Sequence, residues 1–241
     1  MKNREVYLLF GLYCLIGFYV TLNHEPWRDE FQSWLIARES DSIASLFANS
    51  LYEGHHSGWY LILWIFTSIT ESILAFNLFH FFITAIGVFI LIKWSPFSNI
   101  EKWLLTFNYF FLFEYGVIAR HYGITLTLVF LFCALFKYRH SKFYWLLGIL
   151  FVLLFINIYS FFISFSLFVM LIVEKIDRRE FSKLDSFLIA VFLLAIGVSI
   201  FDVKPPVDSG YAEGWDLVLR DYIKSPTILW NSFVPIPKFQ L

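Results

Sequence analysis

Apolar residues along the chain are gathered into eight long runs, separated by short stretches that carry most of the charged side chains. A membrane-crossing helix needs about 17–25 predominantly apolar residues. The shorter runs can therefore cross a membrane only together with the residues that flank them. The pattern predicts an all-α integral membrane protein. The runs lie at about 6–22, 58–70, 73–92, 103–118, 121–136, 143–157, 159–173 and 186–201.

Lysine and arginine predict the orientation of these runs. Cytoplasmic loops are enriched in both residue types, and eleven of the 18 in this chain fall in four short stretches. The N-terminus and three loops are therefore expected on the cytoplasmic side. The residues are Lys2, Arg4, Lys93, Lys102, Lys137, Arg139, Lys142, Lys175, Arg178, Arg179 and Lys183.

The number of crossings follows from these sides. With the N-terminus and the 93–102 loop both inside, an odd number of crossings must lie between residues 23 and 93. The run 58–70 is too short for a span and holds Trp59, Tyr60 and Trp64, and such aromatic residues favour the membrane interface. We therefore expect an interfacial helix there, seven spans in total, and an outward-facing tail.

Composition agrees with a membrane protein. The chain is 59% hydrophobic and 15% charged, whereas soluble domains carry about 25% charged residues. A net charge of −1 indicates no nucleic-acid partner. Cys14 and Cys133 both lie in apolar runs, which predicts buried, inert thiols. No small-residue cleavage site follows the first run, so we interpret it as an uncleaved span.

The first outer loop, 23–72, carries seven acidic residues and two arginines. Two short amphipathic helices are expected in it, one with Phe31, Trp34 and Leu35 on its apolar face and one starting at Ser40 or Asp41 as N-cap. They are interpreted either as helices lying on the membrane surface or as packing helices of a small outer cap. The apolar face of the second helix holds Ile43, Leu46, Phe47 and Leu51.

Charged residues interrupt the apolar pattern at two places. Asp29 and Glu30 follow the first run directly. Arg120 lies between two runs, at a turn that the count of crossings above, called the parity argument below, places outside. The outer turn thus shares a side with the acid pair and with His55 and His56. Charges at membrane depth are functional-site candidates.

Structural interpretations of the same residues stay open. Arg120 would serve as a headgroup anchor, and the acid pair as a solvated helix N-terminus. His24 and His56 are interpreted as interfacial polar residues. Glu114 is interpreted as a structural partner of Arg120 or of a neighbouring span.

A carboxylate pair with an arginine at an outer membrane surface suits chemistry on a lipid phosphate. The carboxylate can act as a general base, or Asp29 and Glu30 together can hold a divalent cation such as Mg²⁺ or Mn²⁺. Arginine binds phosphate through its planar fork. The sequence contains no glycine-rich phosphate loop, Cys/His metal spacing or Gly-x-Ser-x-Gly motif.

Over about residues 1–200 the chain resembles the GT-C superfamily of membrane glycosyltransferases. It looks similar to the branch of protein O-mannosyltransferases and bacterial lipid A aminoarabinose transferases. The resemblance rests on the order of "WRDEFQSWLIARES" after the first span, "GHHSGWYLIL" from Gly54, and "ARHYG" with Arg120 and Tyr122. In the second motif His56 and Ser57 replace the two prolines of the family pattern.

The resemblance implies transfer of a sugar from a polyprenyl-phosphate donor at the outer face of a bacterial inner membrane. The acceptor would be a glycolipid, a polysaccharide or a protein. Asp29 would be the catalytic acid residue with Glu30 beside it. Arg120, His55, Tyr122 and His121 would contact the donor phosphate.

Family members usually have eleven or more spans. The predicted seven-span module, residues 1–202, matches only their N-terminal part, and a Pro-rich tail, 203–241, follows it. A truncated chain, a minimal enzyme, or one half of a split enzyme with a partner subunit all remain open. Other classes also remain open: a transporter or flippase for polar lipids, or an inactive module that binds lipid-linked sugar.

Overall fold

The computed structural model describes residues 1–179, 181–204 and 206, and no strand occurs among them. The prediction of an all-α protein is confirmed for this part of the chain. Two short elements, a 3₁₀ turn at Leu51–Glu53 and a π-helical turn at Phe110–Glu114, accompany ten α-helices in these residues. The α-helices are α1 Asn3–Leu22, α2 Arg28–Arg38, α3 Ile43–Ser50, α4 Ser57–Thr67, α5 Ile73–Trp94, α6 Asn99–Thr106, α7 His121–Phe136, α8 Phe143–Leu153, α9 Ile158–Arg178 and α10 Lys183–Asp202.

Four of these helices, α1, α5, α9 and α10, are long and apolar enough to cross a membrane. They support the membrane assignment, but not the count of seven spans. Helices α4, α7 and α8 are apolar but have only 11, 16 and 11 residues, below the usual length of a span. The Pro-rich tail from residue 207 lies outside the described residues.

The run 103–118, expected as one span, is divided in the structure. Helix α6 stops at Thr106, and the backbone N–H of Phe111 then donates to the side-chain oxygen of Asn108, 2.8 Å away. A local side-chain acceptor of this kind competes with the regular helical bond. The remainder forms the π-helical turn, and the chain bends from Tyr115 to Arg120 into α7.

Helices α5 and α7 run in the same direction. Gly123 contacts His80 and Thr84, and one turn later Thr127 contacts Gly87 and donates to the carbonyl of Ile83 over 2.9 Å. Small residues at such contacts let two helices approach closely. Because both helices run the same way, the segment between them must return to the end where α5 began, as the parity argument requires.

The outer loop and the C-terminal end of α10 lie together. The backbone N–H of Ser57 donates to Asp202 over 2.9 Å, and that of Gly58 donates to the carbonyl of Phe155 over 3.0 Å. The loop 23–72, the α8–α9 connection and the end of α10 therefore share one end of the assembly, called the loop end below. Which compartment this end faces remains a prediction from the basic residues.

The two helices predicted in the outer loop are present as α2 and α3. The N-cap of α3 is Ser42, which accepts from the backbone N–H of Ser45 over 3.2 Å, so the prediction of Ser40 or Asp41 was wrong. Trp34 and Leu46 are buried against α4 and α5. Their burial supports the packing interpretation. Phe31, Ile43, Phe47 and Leu51 are instead exposed.

Both cysteines are free, as predicted, but neither is buried: Cys14 is half-buried and Cys133 is exposed. Cys133 lies on a face of α7 that borders an apolar groove. Hydropathy alone does not distinguish a side chain that faces the core of a helix assembly from one that faces lipid.

Candidate functional site

Glu30 lies in the first turn of α2 and is only 2% exposed. One carboxylate oxygen accepts from the backbone N–H of Trp27 at 2.7 Å and contacts the His24 ring nitrogen at 2.9 Å. The other accepts from the backbone N–H of Ala119 at 2.6 Å. Because both oxygens are engaged, Glu30 fixes α2 to the turn before α7 and has no free lone pair facing solvent.

Asp29, the preceding residue, points to a different place. The guanidinium of Arg120 donates to its carboxylate over 2.5 Å, and the two residues are 91 positions apart in the chain. The Asp29 side chain is 59% exposed and that of Arg120 19%. The structure thus brings Arg120 to the acid pair, and Asp29 is the member of the ion pair that is open to solvent.

The backbone of Arg120 is held independently of its side chain. Its carbonyl accepts from the ring nitrogen of His80 over 2.9 Å, and Glu30 holds the preceding residue. Thr84 also donates to the carbonyl of Tyr115 over 2.9 Å. The guanidinium therefore projects from a rigid turn, a condition for a well-positioned binding group.

His55 lies near this pair. It follows Gly54, whose φ of 65° is favourable for glycine and ends the 3₁₀ turn. Burial lowers the pKa of the His55 imidazole, and the positive charge of Arg120 lowers it further. A neutral imidazole beside a guanidinium can offer a hydrogen bond to a phosphate without adding charge.

His56 has a structural position. It is fully buried and lies 2.9 Å from the hydroxyl of Ser199, which itself donates to the carbonyl of Leu154 over 2.7 Å. The Ser199 oxygen must therefore accept, and the ring nitrogen of His56 donates. His56 thus fastens the start of α4 to α10, in contrast to the surface position that the sequence suggested.

His121 and Tyr122 begin α7 and face different surroundings. His121 is 2% exposed, and neither ring nitrogen has a hydrogen-bond partner among the described residues. Its ring packs 5.4 Å from that of His55. Tyr122 lies 6.0 Å from the Arg120 guanidinium and is half-buried. Tyr122 is thus accessible at the site, whereas His121 lies behind His55.

A groove of about 490 Å³ begins at Tyr122 and runs between the π-helical turn, α7 and α9. Its lining is mostly aromatic and aliphatic, with a few polar groups. The lining residues include Phe110, Glu114, Tyr115, Tyr122, Val129 and Tyr159. Glu114 accepts from the Tyr109 hydroxyl over 3.0 Å and does not pair with Arg120. Sequence reasoning missed this groove, because Tyr115 and Tyr159 are ordinary aromatic residues in apolar runs.

A divalent cation at the acid pair stays a prediction. No group of three or more His, Cys, Asp or Glu residues in the described part of the chain is arranged to hold an ion. The two carboxylates also bond to different partners, and both oxygens of Glu30 already accept hydrogen bonds. We therefore assign no step to Mg²⁺ or Mn²⁺.

The chain matches no protein-family model, no curated protein and no solved structure. The resemblance to GT-C glycosyltransferases therefore rests on the sequence motifs alone and stays a prediction.

Proposed function

We propose that this protein is a membrane glycosyltransferase that uses a polyprenyl-phosphate-linked sugar at the loop end. The observation that carries the proposal is the Asp29–Arg120 ion pair beside Tyr122, a residue that lines the groove. Such a donor has three parts, a phosphate, an isoprenoid chain and a sugar. The Arg120 cation suits the phosphate, the lipophilic groove suits the isoprenoid chain, and the Asp29 carboxylate lies where the sugar would be.

In this proposal the donor phosphate binds the Arg120 guanidinium through parallel hydrogen bonds. The isoprenoid chain follows the groove between α7 and α9, past Tyr122 and Val129. The sugar then lies on the Asp29 side, where the site is open. His55 supplies a neutral hydrogen bond to the phosphate.

Arrival of the phosphate would also change the state of the carboxylate. Asp29 and the phosphate compete for one guanidinium, so donor binding releases Asp29 from its partner. The free carboxylate accepts the proton of the acceptor hydroxyl as that oxygen attacks the anomeric carbon. The carbon–oxygen bond to the phosphate breaks, polyprenyl phosphate leaves with the electron pair, and Arg120 stabilises the negative charge.

Glu30 acts through its neighbours in this scheme. It holds the backbone on both sides of the reacting pair, the first turn of α2 and the turn at Ala119. It is therefore a positioning residue, and the proposed base is Asp29 alone.

The proposal is tested by photo-crosslinking to a polyprenyl-phosphate analogue and by the donor-concentration dependence of sugar transfer. Arg120→Lys keeps the charge but not the fork, and Arg120→Gln removes the charge. Both should weaken donor use by about 1–3 kcal/mol, as expected for loss of a charged hydrogen bond. Arg38→Gln, which removes the loop arginine that pairs with Glu39, is the matched control.

If both Arg120 variants bind the analogue as wild type does, Arg120 is an anchor and the donor assignment fails. Wild-type binding without transfer to any glycolipid, polysaccharide or protein acceptor would indicate an inactive module or one that needs a partner subunit.

A further inference from the structure

A second cluster of charges lies at the opposite end of the helices from the loop end. It is built from the α7–α8 connection and the C-terminal turns of α9, and it surrounds the single carboxylate of Glu174. That carboxylate lies 2.7 Å from the Arg139 side chain, 3.5 Å from His140 and 3.7 Å from Arg178. A cavity of about 60 Å³ opens between these residues.

The cluster carries more positive than negative charge. Lys175, which also lines the cavity, is balanced by Asp185 at 2.6 Å. Glu174 alone faces two guanidinium groups and an imidazole, and one negative charge does not neutralise them. The Arg178 side chain is 44% exposed and that of His140 40%. N–H groups are therefore available to an anion from outside.

An apolar groove of about 490 Å³ adjoins this cluster. The Arg139 guanidinium lies 4.7 Å over the ring of Phe136, and that ring is part of the groove wall. The rest of the wall comes from α5, the α5–α6 connection, α7 and α9, and it includes Trp94, Phe97, Phe130 and Met170. A cationic pocket thus stands at the end of an apolar channel.

We propose that this cluster and groove form a binding site for an anionic glycerophospholipid. Its phosphate would contact Arg139 and Arg178, and an acyl chain would lie along Phe136 and Phe130. Basic pockets between helices at a membrane surface suit anionic headgroups. The continuous apolar wall favours a diacyl lipid over a free phosphate. The site is at the other end of the molecule from Arg120, so it does not depend on the proposed transferase activity.

The test compares three probes on the purified full chain in a non-ionic detergent, by native mass spectrometry and thermal unfolding. The probes are phosphatidylglycerol, phosphatidylcholine with the same acyl chains, and glycerol 3-phosphate. We expect phosphatidylglycerol to bind about tenfold more tightly than phosphatidylcholine, the factor that a charged hydrogen bond supplies. Glycerol 3-phosphate should not raise the Tm at the same concentrations.

Arg139→Gln/Arg178→Gln should abolish the preference for phosphatidylglycerol, and Arg178→Gln alone, at a half-exposed position, should reduce it without harming the fold. Arg38→Gln at the loop end is the control and should keep it. Cys133→Trp, which fills the groove, should weaken both lipids equally.

Equal binding of the two lipids by wild type would overturn the headgroup assignment. Stabilisation by glycerol 3-phosphate equal to that by phosphatidylglycerol would indicate a free-phosphate site instead. An unchanged lipid preference in Arg178→Gln and in the double variant would show that the cluster does not bind the headgroup.

Discussion

Glu30 at the loop end and Glu174 at the opposite end each have three side-chain or backbone partners, yet their settings differ. Glu30 is buried and hydrogen-bonded to two backbone N–H groups, at the start of α2 and in the turn before α7. Glu174 is a quarter exposed, and its partners are long side chains with solvent access. A buried charge is costly to leave unpaired, whereas exposed pairs contribute little and rearrange easily. The comparison separates charges that hold the fold from charges that are free to meet a ligand.

The same difference occurs between adjacent residues. Asp29 and Glu30 are neighbours in the first turn of α2, but only Asp29 faces solvent and has a single side-chain partner. Successive residues of a helix point in different directions, about 100° apart. Of two equivalent-looking acids, one is therefore structural and the other is the candidate for chemistry.

The largest expected effect concerns the side of the membrane that each of the two ends faces. In a background with Cys14→Ser and Cys133→Ser, a single cysteine at Ser68 in the outer loop should react with a membrane-impermeant thiol reagent added outside intact cells. One at Ser98, which is exposed between α5 and α6, should react only after the membrane is opened. Labelling of both from outside would show that the ends do not face opposite compartments.

Next in size is the change Asp29→Asn. It is nearly isosteric and removes the proposed base, so transfer should fall by about 10²–10⁴. The Tm should stay close to wild type, because Asp29 is the exposed member of its ion pair. Transfer rate and thermal unfolding measured on one preparation check this, and normal turnover would rule out Asp29 as the base.

Glu30→Gln should show the reverse pattern, with a clear loss of stability. The amide replaces one acceptor oxygen by a donor that faces the N–H of Trp27 or Ala119, which should destabilise the protein by about 1–3 kcal/mol. Glu174→Gln is the matched change at the opposite end and should lower the Tm much less. Equal losses in denaturant unfolding would contradict the distinction between the two ends.

The smallest expected effect is on the pH dependence of the protein's stability. Burial lowers the pKa of His55 and of His56 below the ordinary value of about 6.5. Above that value the folded and unfolded chains bind the same number of protons at these sites. Below it the unfolded chain binds more, so stability is lost as pH falls through the lowered folded pKa values. The Tm of wild type should therefore decrease between about pH 7 and pH 5, and His55→Gln should decrease less.

Carboxylates near the two histidines, Asp29, Glu53 and Asp202, oppose this shift. An identical pH profile of the Tm for wild type and His55→Gln would mean that these carboxylates cancel the pKa shift at His55.

Much of the architecture could be predicted from the sequence because it depends on local properties. Apolar periodicity and length predicted an all-helical membrane protein, and the positions of α2 and α3 followed from their apolar faces. The parity of basic loops placed Arg120 on the side of Asp29, 91 residues away. These inferences required only the cost of burying backbone and charge in lipid.

What the tertiary structure decided is which neighbour each polar group meets. The sequence presents Asp29 and Glu30 as an equivalent pair, and only packing of the Ala119 turn against α2 buries one and leaves the other beside Arg120. The Tyr122 groove and the excess of positive charge around Glu174 likewise arise where separate helices meet. Hydropathy describes the preference of each residue for water or lipid, whereas hydrogen-bond partners and grooves depend on relative positions, which only the folded chain defines.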